Sequence, residues 1–230
     1  MDSIVTAVAA PPVIAPPPKP LLRGRFHAAA AAVALLFTVA LCWRSRSDPP
    51  RMLSLLIFGL SMVELYSVSA LYHIGAWGPR AGRRLRALDH ANIFVLIAGT
   101  YTPLCFNVLS GWLRPALLAL IWALAVAGAA LATLTLRTPR WLTAGLYLGM
   151  GWVSLLALPA FLHALGWLPV ATLLLGGALY TVGAVVYARK RPDPFPRVFG
   201  FHEVFHLFVI AGGVAFALMV WLWVVPFPRV

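Results

Sequence analysis

Long apolar runs, broken by short charged or proline-bearing stretches, organise this chain. They fall at about residues 28–43, 52–75, 91–109, 114–136, 141–162, 168–188 and 199–225. Each comes near the roughly 17–25 residues that a helix needs to cross a hydrocarbon core about 30 Å thick, the first being the shortest. The pattern predicts an all-α fold, a seven-transmembrane helix bundle over residues 27–230, with no second domain and no repeat. Ahead of it, residues 1–26 hold "APPVIAPPPKP" and then Arg23 and Arg25. A stretch this rich in proline and alanine cannot build a core and is expected to be a flexible tail. Its basic residues follow the prolines, which argues against a cleaved signal peptide.

Composition strengthens the membrane reading. Of the 230 residues 62% are hydrophobic and only 10% charged, where ordinary globular chains are about half apolar and a quarter charged. Charge then orients the bundle. The formal net charge of +12 would point to nucleic acid in a soluble protein, but in a multi-span protein the excess collects in cytoplasmic loops. With the N-terminus cytoplasmic, thirteen of the 18 lysines and arginines fall on the inner side, among them Arg80, Arg83, Arg84 and Arg86 of one loop. The expectation is a multi-pass protein of the plasma (inner) membrane, with the C-terminus extracytoplasmic. Its surroundings are the lipid bilayer, and no nucleic-acid partner is expected. The Arg-rich loop at 80–86 reads as a topology determinant, able also to hold anionic headgroups. Cys42 and Cys105 lie in apolar runs and read as packing residues.

Candidate chemistry begins at "FGFHEVFHLFVIAGG", residues 199–213. His202 and His206 are four apart and share one helix face, a spacing that suits zinc. In the expected topology they open the seventh span at its cytoplasmic end. His73 closes the second span at that end, and Asp89 opens the third. Four candidate ligands from three segments therefore meet at one depth, and facing helices of a bundle commonly build such sites. Ser69, one turn before His73 and about 40° away, can donate beside the metal. Glu64 points roughly the opposite way and deeper, and is expected to pair with a polar group inside the bundle. His27 and His163 read as interfacial or hydrogen-bonded residues. His90 is turned about 100° from Asp89 and can serve only in support. Tyr66 reads as packing. Glu203 is about 100° from His202 and is expected to face the headgroups.

Ser69-x-x-x-His73, then "LDHANIFVLIAGTYTP" with Asp89, then "HEVFH" resemble the three motifs of the hemolysin III family, which belongs with the progestin and adipoQ receptors. The resemblance runs over about residues 27–225. It implies a seven-helix membrane protein with zinc near the cytoplasmic face. His73, His202 and His206 would be the ligands, with Asp89 acting directly or through water and Ser69 beside it. Such a zinc could activate water for attack on a lipid amide or ester, and the resemblance points to ceramide-type lipid amides. In that reading Asp89 takes the proton and Ser69 steadies the oxyanion. The second reading is a receptor or membrane-homeostasis protein in which zinc only ties spans together. A cytolytic pore ranks last, because seven apolar spans leave no soluble state.

Overall fold

In the computed structural model, residues 19–134 and 139–228 are described. Most of the proline-rich stretch, and the end of the expected fourth span, lie outside the described residues. Among the described residues, seven helices are long and apolar enough to cross a membrane. The chain runs α1 (Arg25–Arg44), α2 (Pro49–Ile74), α3 (Pro79–Val108), α4 (Leu113–Leu134), α5 (Arg140–Trp152), α6 (Leu158–Leu165), α7 (Trp167–Arg189) and α8 (Phe201–Met219). A 3-10 segment, Val153–Ala157, joins α5 and α6 into the fifth span. A π turn, Val220–Val224, prolongs α8.

The helix starts follow from local chemistry. Asp48 caps α2 by accepting from the Arg51 N–H at 3.2 Å, and Pro49 and Pro50 occupy first-turn positions, where a missing N–H costs nothing. Pro79 starts α3 twelve residues before the expected apolar run. Arg80 to Arg86 are therefore the first turns of a helix and not a loop. The apolar pattern marked only the part of that helix in hydrocarbon.

α3 is the central helix. Its apolar window is 83% buried, while no other span exceeds 50%. α2 and α4 pack on it, α1 packs on α2, and α7 pairs with α8. Gly176 of α7 permits that last pairing, since a Cβ there would lie 2.8 Å from the Phe216 ring of α8. The outward faces carry leucine and valine, and exposed tryptophans ring both ends. Trp43, Trp112 and Trp167 stand at one end, Trp77 and Trp141 at the other, as at the two interfaces of a bilayer.

The fifth span breaks at membrane depth, where unpaired backbone is costly. Tyr101 of α3 repairs the break. Its hydroxyl accepts from the Ser154 N–H at 2.6 Å and donates to the Gly151 carbonyl at 2.6 Å.

Residues 19–24, grouped with the tail on composition, are pinned to the bundle. The Leu21 and Leu22 N–H groups donate to the Arg197 and Val198 carbonyls, each at 3.1 Å. Lys19 Nζ reaches the His73 carbonyl at 3.2 Å. Gly24 adopts φ 80, and a Cβ there would stand 2.9 Å from the Cβ of His73. Both the conformation and the space demand glycine. Arg23 then pairs with Glu203, whose second oxygen accepts from the Gly200 N–H at 2.8 Å. Glu203 is fully buried at 0% exposure, so the expectation that it faces headgroups is wrong. It closes the first turn of α8 from within, and its charge is balanced by the incoming strap.

Removing either partner of this pair should destabilise the fold. Arg23 keeps 19% exposure, so water relieves part of the loss, and Glu203→Gln should cost about 1–3 kcal/mol, towards the lower end. Thermal unfolding in detergent of Arg23→Gln, Glu203→Gln and the double variant checks this. The double variant should lose less than the sum of the singles; strict additivity would show that the two groups are not coupled.

Candidate metal centre

Three helices deliver the site. α2 ends with Ser69 and His73 on one face, α3 supplies Asp89 three turns into the helix, and α8 supplies His202 and His206 in its first two turns. The four-residue spacing on α8 turns both imidazoles toward α2, with ring centroids 4.5 Å apart. One nitrogen from each of His73, His202 and His206 lies within 4.8 Å of the others. His73 Nε2 and His202 Nε2 are 3.0 Å apart. Two donors bound tetrahedrally at about 2.1 Å stand roughly 3.4 Å apart, so this cluster needs only small side-chain shifts to hold a metal ion.

Asp89 faces the same centre. Its Oδ2 is 3.7 Å from His73 Nε2, the nitrogen that also faces His202. A carboxylate on that side of the ring can reach an ion directly or through one water. Ser69, 2% exposed, sits beside Asp89, as its position on α2 leads one to expect. The donor set, three imidazoles with a carboxylate beside them, has the chemistry of a zinc site. His206 is nearly solvent-free at 1% exposure, and its Nδ1 has no hydrogen-bond partner. Buried polar nitrogens are seldom left without one.

His27 is the residue that sequence reasoning missed. It is buried, not interfacial, and neither ring nitrogen has a hydrogen-bond partner. Its ring stacks on His206 with centroids 3.8 Å apart and an interplanar angle of 14°. Tyr66 is also against it, with ring centroids 5.1 Å apart. The clue was present: His27 opens the first span at the same end as the other three. α1 begins at Arg25, which sets His27 in the first turn of a helix that packs on α2. His90 stays outside the cluster, and its carbonyl accepts from the Tyr147 hydroxyl at 2.9 Å. His163 is exposed at the far end of the bundle. Glu64 is exposed on α2 and does not enter the interior, contrary to expectation.

Deeper than the histidines, between α3, α5, α7 and α8, an apolar cavity is lined by Ile93, Leu96, Tyr147, Leu173, Phe205 and Val209 among others. Phe205 connects the two regions. Its ring is 5.7 Å from each of His202 and His206.

Comparison with known proteins agrees with this architecture. The profile of the family described as haemolysin-III related matches residues 17–226. The hemolysin-3 homolog of Bacillus subtilis (strain 168) is 35% identical over 175 residues, covering 76% of this chain and 79% of its own. Hemolysin-3 of Bacillus cereus is 36% identical over 172 residues, 74% of each chain. The human monocyte to macrophage differentiation factor is more distant, 25% identical over 189 residues, 79% of this chain and 75% of its own. An integral membrane protein of seven spans with a three-histidine cluster at one end, the chain belongs to the haemolysin-III-related family, within the progestin and adipoQ receptor superfamily.

Proposed function

We propose that the protein is a zinc-dependent hydrolase of lipid amides or esters that acts at the cytoplasmic face of the plasma membrane. The observation that carries this reading is the convergence of three histidines and a carboxylate beside an apolar cavity within the bundle. His73, His202 and His206 would hold the ion. When bound, zinc supplies the Lewis acidity that polarises a carbonyl and acidifies water. Asp89 accepts a proton from the attacking water and passes it to the leaving nitrogen or oxygen, so an amide yields acid and amine. Ser69 donates to Asp89 and holds that carboxylate toward the cluster. The apolar cavity takes an acyl chain and keeps water from the rest of the substrate. A cytolytic pore, as the relatives' name hemolysin would imply, fits poorly with seven apolar spans.

Metal content is the first test. Losing one of three histidine ligands leaves too few donors, so His73→Ala, His202→Ala and His206→Ala should each lose zinc. Asp89→Asn should weaken retention less, about 10–100-fold if Asp89 acts through water. Glu203→Gln should keep its zinc, because both of its oxygens are engaged away from the cluster. Zinc per protein by elemental analysis decides, and full zinc in His73→Ala would refute the three-helix site.

Turnover is the second test. Purified protein screened against ceramides and glycerolipids should release fatty acid, and Asp89→Ala should stop release while part of the zinc remains. Zinc retained by wild type with no release from any lipid would favour a structural ion that only ties α2, α3 and α8 together.

Topology is the third. A reporter fused after Val230 should be extracytoplasmic, and one inserted between Gly78 and Pro79 should be cytoplasmic. Both reporters on one side would overturn the orientation and the face assigned to the site.

A further inference from the structure

The ring of His206 is held in an unusual way. A metal-bound imidazole is ordinarily oriented by a hydrogen bond at its second nitrogen. Among the described residues His206 Nδ1 has no hydrogen-bond partner, and at 1% exposure it lies out of reach of bulk water. Four rings touch it instead. His73, His202 and Phe205 meet it at interplanar angles of 58°, 65° and 53°, so none of them covers a face squarely. His27 is the one that lies flat, with centroids 3.8 Å apart and planes 14° from parallel. Most aromatic pairs sit farther apart, at about 4.5–7 Å.

A parallel neighbour at that distance governs rotation about the Cβ–Cγ bond of His206. Turning the ring drives one edge into the His27 face, and packed interiors yield little to such intrusion. His27 can resist because the chain around it is fixed. It stands in the first turn of α1. Gly24 sits where a Cβ would come within 2.9 Å of the His73 Cβ. Arg23 pairs with Glu203, and Phe26 packs edge-on against Phe199 with centroids 6.0 Å apart. Tyr66 of α2 also rests against the His27 ring, at 5.1 Å. Neither His27 nitrogen has a hydrogen-bond partner, so what the ring offers His206 is its face.

We propose that His27 is a positioning residue of the metal centre: its face fixes the plane of the His206 imidazole, the task that a hydrogen bond performs at most ligand histidines. The role rests on the reading of His206 as a ligand and goes beyond it. α1 brings no ligand of its own, yet through His27 it decides how well α8 presents one. A misturned ring points its nitrogen away from the ion, and lost support of this kind typically costs about 10–100-fold in metal affinity. A merely structural role predicts something different, because any apolar side chain of similar bulk would then serve as well as histidine.

The test uses the full chain in detergent with His27→Phe, His27→Leu and His27→Gln. Phenylalanine keeps a flat ring and gives up no hydrogen bond, leucine keeps bulk without a face, and glutamine keeps polar atoms without a ring. Zinc affinity by chelator competition should stay close to wild type in His27→Phe and fall about 10–100-fold in the other two. Cobalt in place of zinc should give the wild-type absorption spectrum in His27→Phe and a shifted one in His27→Leu. A second readout needs no metal. In metal-free protein with isotope-labelled histidine, the His206 ring signal should be single in wild type and His27→Phe, and split or broadened in His27→Leu. Undiminished zinc affinity in His27→Leu would overturn the proposal. So would rescue by His27→Gln with loss in His27→Phe, or a single His206 signal in His27→Leu. Wild type that takes up no zinc, with the His206 signal still split by His27→Leu, would refute the zinc reading and uphold the stack.

Discussion

A polar atom within a bilayer core has no water to bond, so its partner must come from the protein. That requirement explains arrangements that packing alone would not produce. Tyr101 spends its hydroxyl on the broken fifth span. Asn107 bonds Ser54 at 2.9 Å and the Pro103 carbonyl at 2.8 Å, joining α2 to α3 near the end far from the site. Thr38, Thr100 and Thr102 return their hydroxyls to carbonyls four residues earlier on their own helices. Each of these donors finds its acceptor on its own helix or across a contact of α3. This is why α3, the most buried span, can carry so many polar side chains.

The histidine end obeys the same rule at a different scale. Its polar atoms exceed what one another can satisfy, and His27 and His206 are left with bare nitrogens beneath a strap that excludes solvent. The strap is itself held by ionic and backbone bonds, so the burial does not depend on apolar contact alone. An ion at the centre of the three imidazoles would convert the least satisfied part of the molecule into a cross-link between three spans. The strap also packs against the site: Gly24 lies where even a Cβ would come within 2.9 Å of the His73 Cβ, and Arg23 reaches the helix that carries His202 and His206.

Much of this was legible in the chain. Apolar runs located all seven spans, and equal depth brought His73, Asp89, His202 and His206 together before any contact was known. Depth, however, is all that a span boundary encodes. The direction of a side chain depends on which neighbours surround its helix, and that is where the reading erred. His27 had the right depth but was assigned to the interface, because α1 looked shorter than it is. Glu64 was turned inward on the principle that a charge avoids lipid. The packing of α1 and α3 on α2 leaves it outside instead. Glu203 was turned outward because nothing in the apolar pattern showed that Arg23, 180 residues earlier, returns to meet it.

Glu203 also separates this site from a soluble one with the same five letters. In a soluble metalloprotease helix of the form His-Glu-x-x-His, the glutamate serves as general base beside the metal. Here one carboxylate oxygen is committed to Arg23 and the other to the Gly200 N–H. Neither is free to take a proton at the histidine cluster. The carboxylate near His73 is that of Asp89, carried by another helix, with Ser69 of α2 beside it. One motif thus divides its labour differently in the two settings. On α8 the histidines face the cluster while the glutamate closes the helix start and anchors the strap. Among the described residues, the carboxylate that faces the same centre is that of Asp89 on α3.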